Sequence, residues 1–450
     1  MVATKGKKIA MSRKALLHCL IIGLPLLLWS CSSARLMMPT PNVLLTEPDK
    51  PYQNLSSPQK STEVQLLYFT DRVPEHNSAG ILTYGYERSG SIAFGTAAVE
   101  LGVDITWEEL LNASLTHERA KPVKLALGEL SELVRTPNTP LPYAYMDGKI
   151  TEDPAMVAIM EKANLSVTEV LQQRLTETSR KELFIYIHGY RNSFADAAFA
   201  MAELWHFLGR TGVPIIYSWP AGFPGFFGYT YDRESSEFTI WHLREILRFL
   251  SEIPEVEKIH IIAHSRGTDV ATAALREITL KTRAAGIDPK IKYKIHNFVL
   301  AAPDLDVMVA EQRIDGDNLP LSVKRFTIYT SPDDRAIFYA QRLFRSPQGR
   351  IGTFRFEKLT ESQREMMEFY GSSNFSIIQF LGSSSELSEL SQRLDPHGHS
   401  YYRSEPTVSS DLVLMLRDDF DPGPPGRPLV YLGSNVWRIP TGYPTDTSEQ

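Results

Sequence analysis

The sequence predicts an α/β fold with a mostly parallel central sheet flanked by helices. Beyond residue 180, short apolar segments alternate with segments of helical periodicity, and those strand segments are apolar throughout rather than alternating. A third observation is a serine, Ser265, at a sharp strand-to-helix junction. The chain has 450 residues, 43% of them hydrophobic, which is enough to bury one large core. Its composition excludes the collagenous, disulfide-built and disordered classes.

Residues 1–30 have the features of a bacterial lipoprotein signal peptide. Five cations and no acidic residue accompany an apolar run that extends from Ala15 to Trp29, and Leu-Trp-Ser precedes Cys31. We expect Cys31 to carry the lipid and to become the mature N-terminus, with an uncleaved anchor helix as the alternative. Ser32 is compatible with the cell envelope of a Gram-negative bacterium, on the periplasmic face of the outer membrane.

Charge and cysteine usage agree with that interpretation. The net charge is −6 for the whole chain and −11 once the five cations of the signal peptide are removed. A mature protein this acidic is not expected to bind nucleic acid or to adsorb to anionic lipid. Membrane attachment would therefore depend on the lipid anchor. Cys19 and Cys31 are the two cysteines, and the mature domain is therefore expected to contain no disulfide.

The rest of the chain divides into four predicted segments. They are a tether rich in proline and serine over residues 31–62, strands and helices packed on the core over 63–180, an α/β core over 181–403, and a partly disordered C-terminal extension over 404–450. In the second segment we predict a β-rich extension, with strands at 64–70 and 80–101 and helices at 122–134 and 154–177.

The most informative stretch surrounds Ser265. A buried strand over residues 259–263 leads directly into a helix that begins at Gly267. A nucleophile elbow requires small residues two positions before and after the serine, because the strand and helix backbones nearly touch there. Ala263 and Gly267 meet this requirement, which predicts a serine nucleophile on an α/β-hydrolase fold. An ordinary turn with serine as a helix N-cap is the alternative.

A serine nucleophile needs a base, and the base needs an orienting acid, in the chain order Ser, Asp, His on this fold. Asp334 follows a predicted strand and is the preferred acid, with Asp333 and Asp304 as alternatives. His399 lies in a loop after a later strand and is the preferred base, with His397 as the alternative.

The oxyanion of an acyl-transfer reaction needs two backbone N–H donors. We predict the N–H groups of Arg266, directly after the serine, and Tyr190, in the loop of residues 188–192 that follows an earlier strand. His188 is expected to shape that loop. An aromatic loop over residues 221–231 forms either a wall of an acyl pocket or ordinary surface packing. The sequence has no phosphate-binding loop and no His/Cys metal spacing, so we expect neither a metal nor an organic cofactor.

The sequence resembles an uncharacterised bacterial α/β-hydrolase family in seven blocks that occur in order, at residues 188–195, 217–220, 231–235, 262–265, 302–304, 334–336 and 398–400. The resemblance extends over residues 64–402. It implies a serine esterase-like or lipase-like fold and supports Ser265, Asp334 and His399 as triad members. It implies no substrate.

The function expected from these observations is a lipid-anchored serine hydrolase that cleaves a carboxylic ester of a small molecule or a lipid. The alternative is a non-catalytic binding or scaffold protein of the cell envelope that keeps the same fold. Loss of triad members would indicate the second class, and Ser265, Asp334 and His399 are all present.

Overall fold

The apolar segments predicted as strands join one eleven-stranded sheet in the computed structural model, which describes residues 35–46, 51–225, 227–371, 374–382 and 389–444. Two further strands, Tyr143–Met146 and Lys149–Glu152, form a separate hairpin. The strands are β1 Glu63–His76, β2 Leu82–Leu101, β3 Leu125–Arg135, β4 Tyr143–Met146, β5 Lys149–Glu152, β6 Glu182–Ile187, β7 Val213–Ser218, β8 Lys258–His264, β9 Ile295–Ala301, β10 Arg325–Thr330, β11 Phe375–Gln379, β12 Val430–Gly433 and β13 Val436–Arg438.

Helices flank the sheet on both faces. In the described ranges they are α1 Asn42–Thr46, α2 Trp107–Ser114, α3 Pro154–Thr176, α4 Phe194–Phe207, α5 Gly228–Glu252, α6 Gly267–Ala284, α7 Pro289–Tyr293, α8 Val307–Ala310, α9 Arg335–Leu343, α10 Glu361–Gly371, α11 Glu389–Leu394, α12 Tyr401–Ser404 and α13 Pro406–Arg417. Short 3₁₀ turns and one π turn, Glu311–Asp315, complete the connections.

The strand order of the sheet is β12-β13-β11-β10-β9-β8-β6-β7-β1-β2-β3. The strands from β13 to β1 in this order pair in parallel, whereas β12, β2 and β3 are antiparallel to their neighbours. Helices α3, α5 and α6 pack on one face of the sheet, and α4 and α13 pack on the other. The predicted fold class is therefore confirmed, including its β-rich N-terminal part. In such a sheet the carboxyl ends of the parallel strands meet at one edge, where ligands bind.

The helix predicted over residues 122–134 is wrong, because this segment forms β3. Leucines and glutamates give it a helical composition, but β3 pairs with β2 over most of its length, for example Leu130 with Ala97. Pairing with a long neighbouring strand overrides a weak local preference for helix. The helix predicted over residues 154–177 is confirmed as α3.

The extended tether predicted over residues 31–62 is wrong where the structure describes it. Met37, Met38, Val43 and Leu44 are buried in the core that faces α4 and α13. The Met38 N–H donates to a carboxylate oxygen of Glu203 on α4 at 2.6 Å. Proline disfavours regular structure but does not prevent an extended chain from packing, so apolar side chains decide the outcome here.

The C-terminal extension predicted over residues 404–450 also belongs to the packed body of the protein in its described part. Helix α13 is largely buried, and β12 and β13 extend the sheet beyond β11. Arg427 and Asp411, both with no exposed side-chain surface, form a two-pronged ion pair at 2.7 and 2.9 Å. The hydroxyls of Tyr329 and Tyr443 donate to the same carboxylate. The carboxylate of Asp411 thus connects α13, β10 and the last described residues.

The signal peptide and Cys31 lie outside the described residues. Within the described ranges, no helix has both the length and the apolar character required to cross a bilayer.

Candidate active site

Ser265 lies between β8 and α6 in a backbone conformation that side chains rarely adopt, with φ of +53°. Its N–H donates to the carbonyl of Ala301 on β9 at 3.0 Å, which holds the turn against the sheet. Gly267 faces the backbone after β6 so closely that a Cβ atom there would lie 2.4 Å from the His188 carbonyl oxygen. The sharp turn and the requirement for a small residue two positions after the serine are both features of a nucleophile elbow.

The 188–192 loop lies directly against the serine. A Cβ atom on Gly189 would be 2.6 Å from Cβ of Ser265, so glycine is needed at this approach. Neither the Tyr190 N–H nor the Arg266 N–H has an intramolecular acceptor within the described residues. Two uncommitted backbone donors next to a serine hydroxyl are what an oxyanion hole requires.

Ser265, His399 and Asp334 form one hydrogen-bonded line across the carboxyl edge of the sheet. The Ser265 Oγ lies 2.7 Å from His399 Nε2, and His399 Nδ1 lies 2.7 Å from Asp334 Oδ2. Asp334 is fully buried, and the His399 side chain is 18% exposed. Because an ionised carboxylate only accepts, Nδ1 of His399 donates to Asp334, and Nε2 is then free to accept the Ser265 hydroxyl proton.

The charges of the line shift the pKa of the imidazole. Burial by itself lowers the pKa of His399, but the adjacent Asp334 carboxylate and its hydrogen bond outweigh burial, and the pKa is raised above its ordinary value. Burial raises the pKa of Asp334, and its contact with His399 offsets part of that rise. Asp334 also accepts from the Ile337 N–H at 3.0 Å as the N-cap of α9, which fixes the carboxylate.

The alternative acid and base candidates do not join this line. Asp333 is exposed, and His397 is exposed with its carbonyl accepting from the Arg335 N–H. Asp304 is buried near the serine, but its carboxylate pairs with Arg350 and accepts the Tyr229 hydroxyl. The structure therefore brings together Ser265, Asp334 and His399 and leaves Asp333, Asp304 and His397 outside the line.

Two residues that the sequence reasoning missed hold His399 in place. The Asp395 carboxylate accepts from the N–H groups of His399 and Ser400 at 2.8 and 2.6 Å. His264 lies 3.1 Å from the His399 carbonyl oxygen through Nε2, and because a carbonyl only accepts, this nitrogen carries the proton. An aspartate four residues before the histidine is a local signal that could have indicated the first contact. The second has no signal, since His264 and His399 are distant in sequence.

A buried arginine from β1 supports the 188–192 loop. The Arg72 guanidinium donates to the carbonyls of Asn192 and Ala221 at 2.9 and 2.8 Å and lies 3.3 Å from Nε2 of His188. Burial and the Arg72 charge lower the pKa of His188 to about 3, so that this imidazole is neutral at neutral pH. It stacks on Trp219, whose indole N–H donates to the His188 carbonyl. His188 thus occupies a supporting position in the loop rather than a position beside Ser265.

The aromatic loop over residues 221–231 is held by Asp232, whose carboxylate accepts from the N–H groups of Arg191 and Gly222 at 2.9 and 3.0 Å. Phe223 packs on Tyr231 and on Tyr86 of β2. One part of the aromatic loop is therefore ordinary packing.

A mostly parallel sheet flanked by helices, with a serine on a positive-φ elbow at its carboxyl edge, defines the α/β-hydrolase class. The chain belongs to the family described as alpha/beta hydrolase of unknown function (DUF900), whose model matches residues 163–416. The match includes Ser265, Asp334, His399 and the 188–192 loop. It confirms the resemblance to an α/β-hydrolase family without a settled reaction.

Other comparisons add little. No curated protein matches this chain. Among solved structures, an uncharacterized protein from Bacillus cereus ATCC 10987 is 12% identical, with 54% of this chain and 70% of that chain covered and a TM-score of 0.28. A similarity at that level carries no argument about structure or function.

Proposed function

We propose that this chain is a serine hydrolase that cleaves carboxylic esters through an acyl-enzyme, with Ser265 as nucleophile, His399 as base and Asp334 as orienting acid. The observation that carries the proposal is the hydrogen-bonded line of two 2.7 Å contacts from Asp334 through His399 to Ser265. The position of Ser265 on a positive-φ elbow adds to that support. A serine that only caps a helix needs neither the elbow nor the hydrogen bonds through His399 to Asp334.

In the first half of the reaction, the Ser265 Oγ attacks the ester carbonyl while His399 Nε2 takes the hydroxyl proton. The tetrahedral intermediate collapses, the C–O bond to the alcohol breaks, and the alcohol leaves with that proton. In the second half a water molecule attacks the acyl-enzyme and gives a proton to Nε2. When the carboxylic acid leaves, that proton returns to the serine, so that the enzyme is regenerated without any cofactor.

The N–H groups of Tyr190 and Arg266 are the proposed donors to the oxyanion. Arg266 directly follows Ser265, Tyr190 directly follows Gly189, which abuts Ser265, and neither N–H has an intramolecular acceptor within the described ranges. Each such donor is typically responsible for roughly 10²–10³ in rate. Arg72, through the carbonyls of Asn192 and Ala221, and Asp232, through the Arg191 N–H, keep the 188–192 loop in position.

Labelling with a fluorophosphonate tests the proposed function. We expect the purified protein to be phosphonylated on Ser265, because only a serine deprotonated by a neighbouring base displaces fluoride at a useful rate. The Ser265→Ala variant should not be labelled, whereas Ser331→Ala, which removes a buried serine after β10, should be labelled as well as wild type. Folded wild-type protein that takes up no label would instead indicate the non-catalytic envelope module.

We also propose that the enzyme is attached to the bacterial envelope through a lipid on Cys31, at the periplasmic face of the outer membrane. The proposal depends on the cationic start, the short apolar run and the cysteine that follows it. Metabolic labelling with a tagged fatty acid is expected to mark wild type and not the Cys31→Ala variant, while Cys19→Ala retains the label. Persistent labelling of Cys31→Ala would refute the anchor without affecting the proposed reaction.

A further inference from the structure

A cavity of about 540 Å³ lies beneath the segment between α8 and α10. Its sheet side is apolar: Ile328 of β10 and Phe375 and Ile377 of β11 line it and are buried. Its covering segment contributes both apolar residues and charged ones such as Glu311 and Lys358. The volume is within the roughly 300–1,000 Å³ that small-molecule pockets occupy.

One end of the cavity is only two contacts away from the nucleophile. Arg350 lines the cavity, and its Nη1 donates to the Asp304 carboxylate at 2.5 Å and to the Asp304 carbonyl at 3.1 Å. The Asp304 N–H in turn donates to the carbonyl of Ser265 at 3.3 Å. Two hydrogen-bonded contacts through Asp304 thus connect Arg350, at this end of the cavity, to the backbone of Ser265.

Aromatic rings join the same end of the cavity to the 188–192 loop. The Tyr229 ring lies 4.9 Å from that of Tyr190 and 4.4 Å from that of Phe344, measured between centroids. The Arg350 guanidinium lies 5.1 Å from the Phe344 centroid. Tyr229 also donates its hydroxyl to Asp304 at 2.9 Å. These contacts connect the 188–192 loop to the cavity through the rings of Tyr229 and Phe344, beside the Arg350–Asp304 ion pair, and the rings offer apolar surface to a hydrocarbon chain.

We propose that the cavity receives an unbranched aliphatic chain of the ester substrate, and hence that the substrate class is esters with a medium-length hydrocarbon chain. The inference rests on the proposed function for the reaction. Either the acyl or the alcohol part of an ester can carry such a chain. In both cases the chain lies against Ile328, Phe375 and Ile377, and burial of each methylene strengthens transition-state binding by roughly fourfold.

Hydrolysis of two ester series tests the inference. One series lengthens the acyl chain of p-nitrophenyl esters from acetate to dodecanoate, and the other lengthens the alcohol of alkyl acetates. We expect kcat/KM to rise roughly three- to fourfold per methylene in one series until the cavity is filled, which identifies the part that carries the chain. A flat dependence on chain length in both series would overturn the inference.

A tryptophan in the cavity should remove the rise of kcat/KM with chain length. Leu359 lines the cavity at a half-buried position, so Leu359→Trp is expected to lower kcat/KM on octanoyl or octyl substrates at least about tenfold more than it lowers kcat/KM on acetate. Leu280→Trp, at a 39% exposed position on α6, is the matched control and should retain the full profile. Met367→Trp, also in the lining, replaces Leu359→Trp if the latter does not fold. A full chain-length profile in both cavity variants would contradict the inference.

Binding of cis-parinaric acid, a fluorescent fatty acid, separates this inference from the proposed reaction. We expect the Ser265→Ala variant to bind it, and the additional change Leu359→Trp to weaken that binding about tenfold or more. If no ester is hydrolysed and this binding pattern is observed, the reaction is wrong, whereas the assignment of the cavity to an aliphatic chain stands. If acetate is hydrolysed and the fatty acid does not bind, the cavity inference is wrong and the reaction stands.

Discussion

Replacing Ser265 or His399 by alanine is expected to lower kcat on an ester by about 10⁶-fold, and replacing both should cost little more than either alone. In the proposed reaction the serine is nucleophilic only when Nε2 of His399, 2.7 Å away, accepts its proton. Either change removes the whole covalent route. Steady-state kinetics of the two single variants and the double variant measure this non-additivity, and losses that multiply would contradict a shared step.

Asp334→Asn belongs to the same series and should lower kcat by about 10⁴-fold. Asparagine can still accept the Ile337 N–H as the N-cap of α9, so the fold is retained. Its amide, however, can donate to Nδ1 of His399 and hold the wrong tautomer.

Since Asp334 raises the pKa of His399, wild-type kcat/KM should fall as the pH drops through a value above about 6.5, where the base becomes protonated. In Asp334→Asn, which lacks that carboxylate charge, the fall in kcat/KM on the acid side of the pH profile should move to lower pH. A profile of kcat/KM against pH for both proteins measures the shift.

The neighbouring residues provide matched controls for the series. Asp333→Asn and His397→Ala change the same residue types at exposed positions one and two residues away. Both variants should keep wild-type kcat. A large loss in either variant, with Asp334→Asn and His399→Ala active, would reverse the assignment within each pair.

Arg427→Met is expected to reduce the free energy of unfolding by about 3–5 kcal/mol, because it leaves the Asp411 carboxylate buried without its cationic partner. Both side chains have no exposed surface, so water cannot replace the lost contact. Such a loss is a large fraction of the roughly 5–15 kcal/mol that typically stabilises a protein. Urea or guanidinium unfolding followed by fluorescence measures it.

The matched control for Arg427→Met is Arg276→Met, which removes an ion pair with Asp317 at a position where the two side chains are 45% and 20% exposed. Exposed pairs typically contribute about 0–1 kcal/mol, so the control should be close to wild type. Equal, small losses in both variants would mean that the segment around Arg427 unfolds separately from the sheet.

The features predicted correctly from the sequence are those that depend on local pattern. Continuous apolar strands, and the junction at Ser265 with Ala263 and Gly267 at fixed spacing, indicated the fold class and the elbow. The order in which acid and base candidates follow the serine restricted the choice to a few residues. Asp334 and Asp333 are adjacent and have similar surroundings in sequence, so only the structure could show which of them is buried beside the histidine.

The errors arose where distant contacts determine the structure. Residues 122–134 have a helical composition and become β3 because β2 is available for pairing. Residues 36–44 and 406–417 reach the core through contacts between the two ends of the chain, such as the Val43 N–H to the Ser410 hydroxyl at 3.1 Å. A local sequence pattern cannot predict contacts between segments more than 360 residues apart.

Arg72 has a consequence for what counts as the functional unit of this protein. It comes from β1, well before residue 163, where the family match begins, and it links the turns after β6 and β7 through their carbonyls. A chain that started at residue 163 would keep the serine, the histidine and the aspartate but lose the cation that ties those turns together. The smallest fragment able to preserve this geometry is therefore longer than the segment that matches the family. The N-terminal limit of the family match is not the N-terminal limit of the residues that hold the site in place.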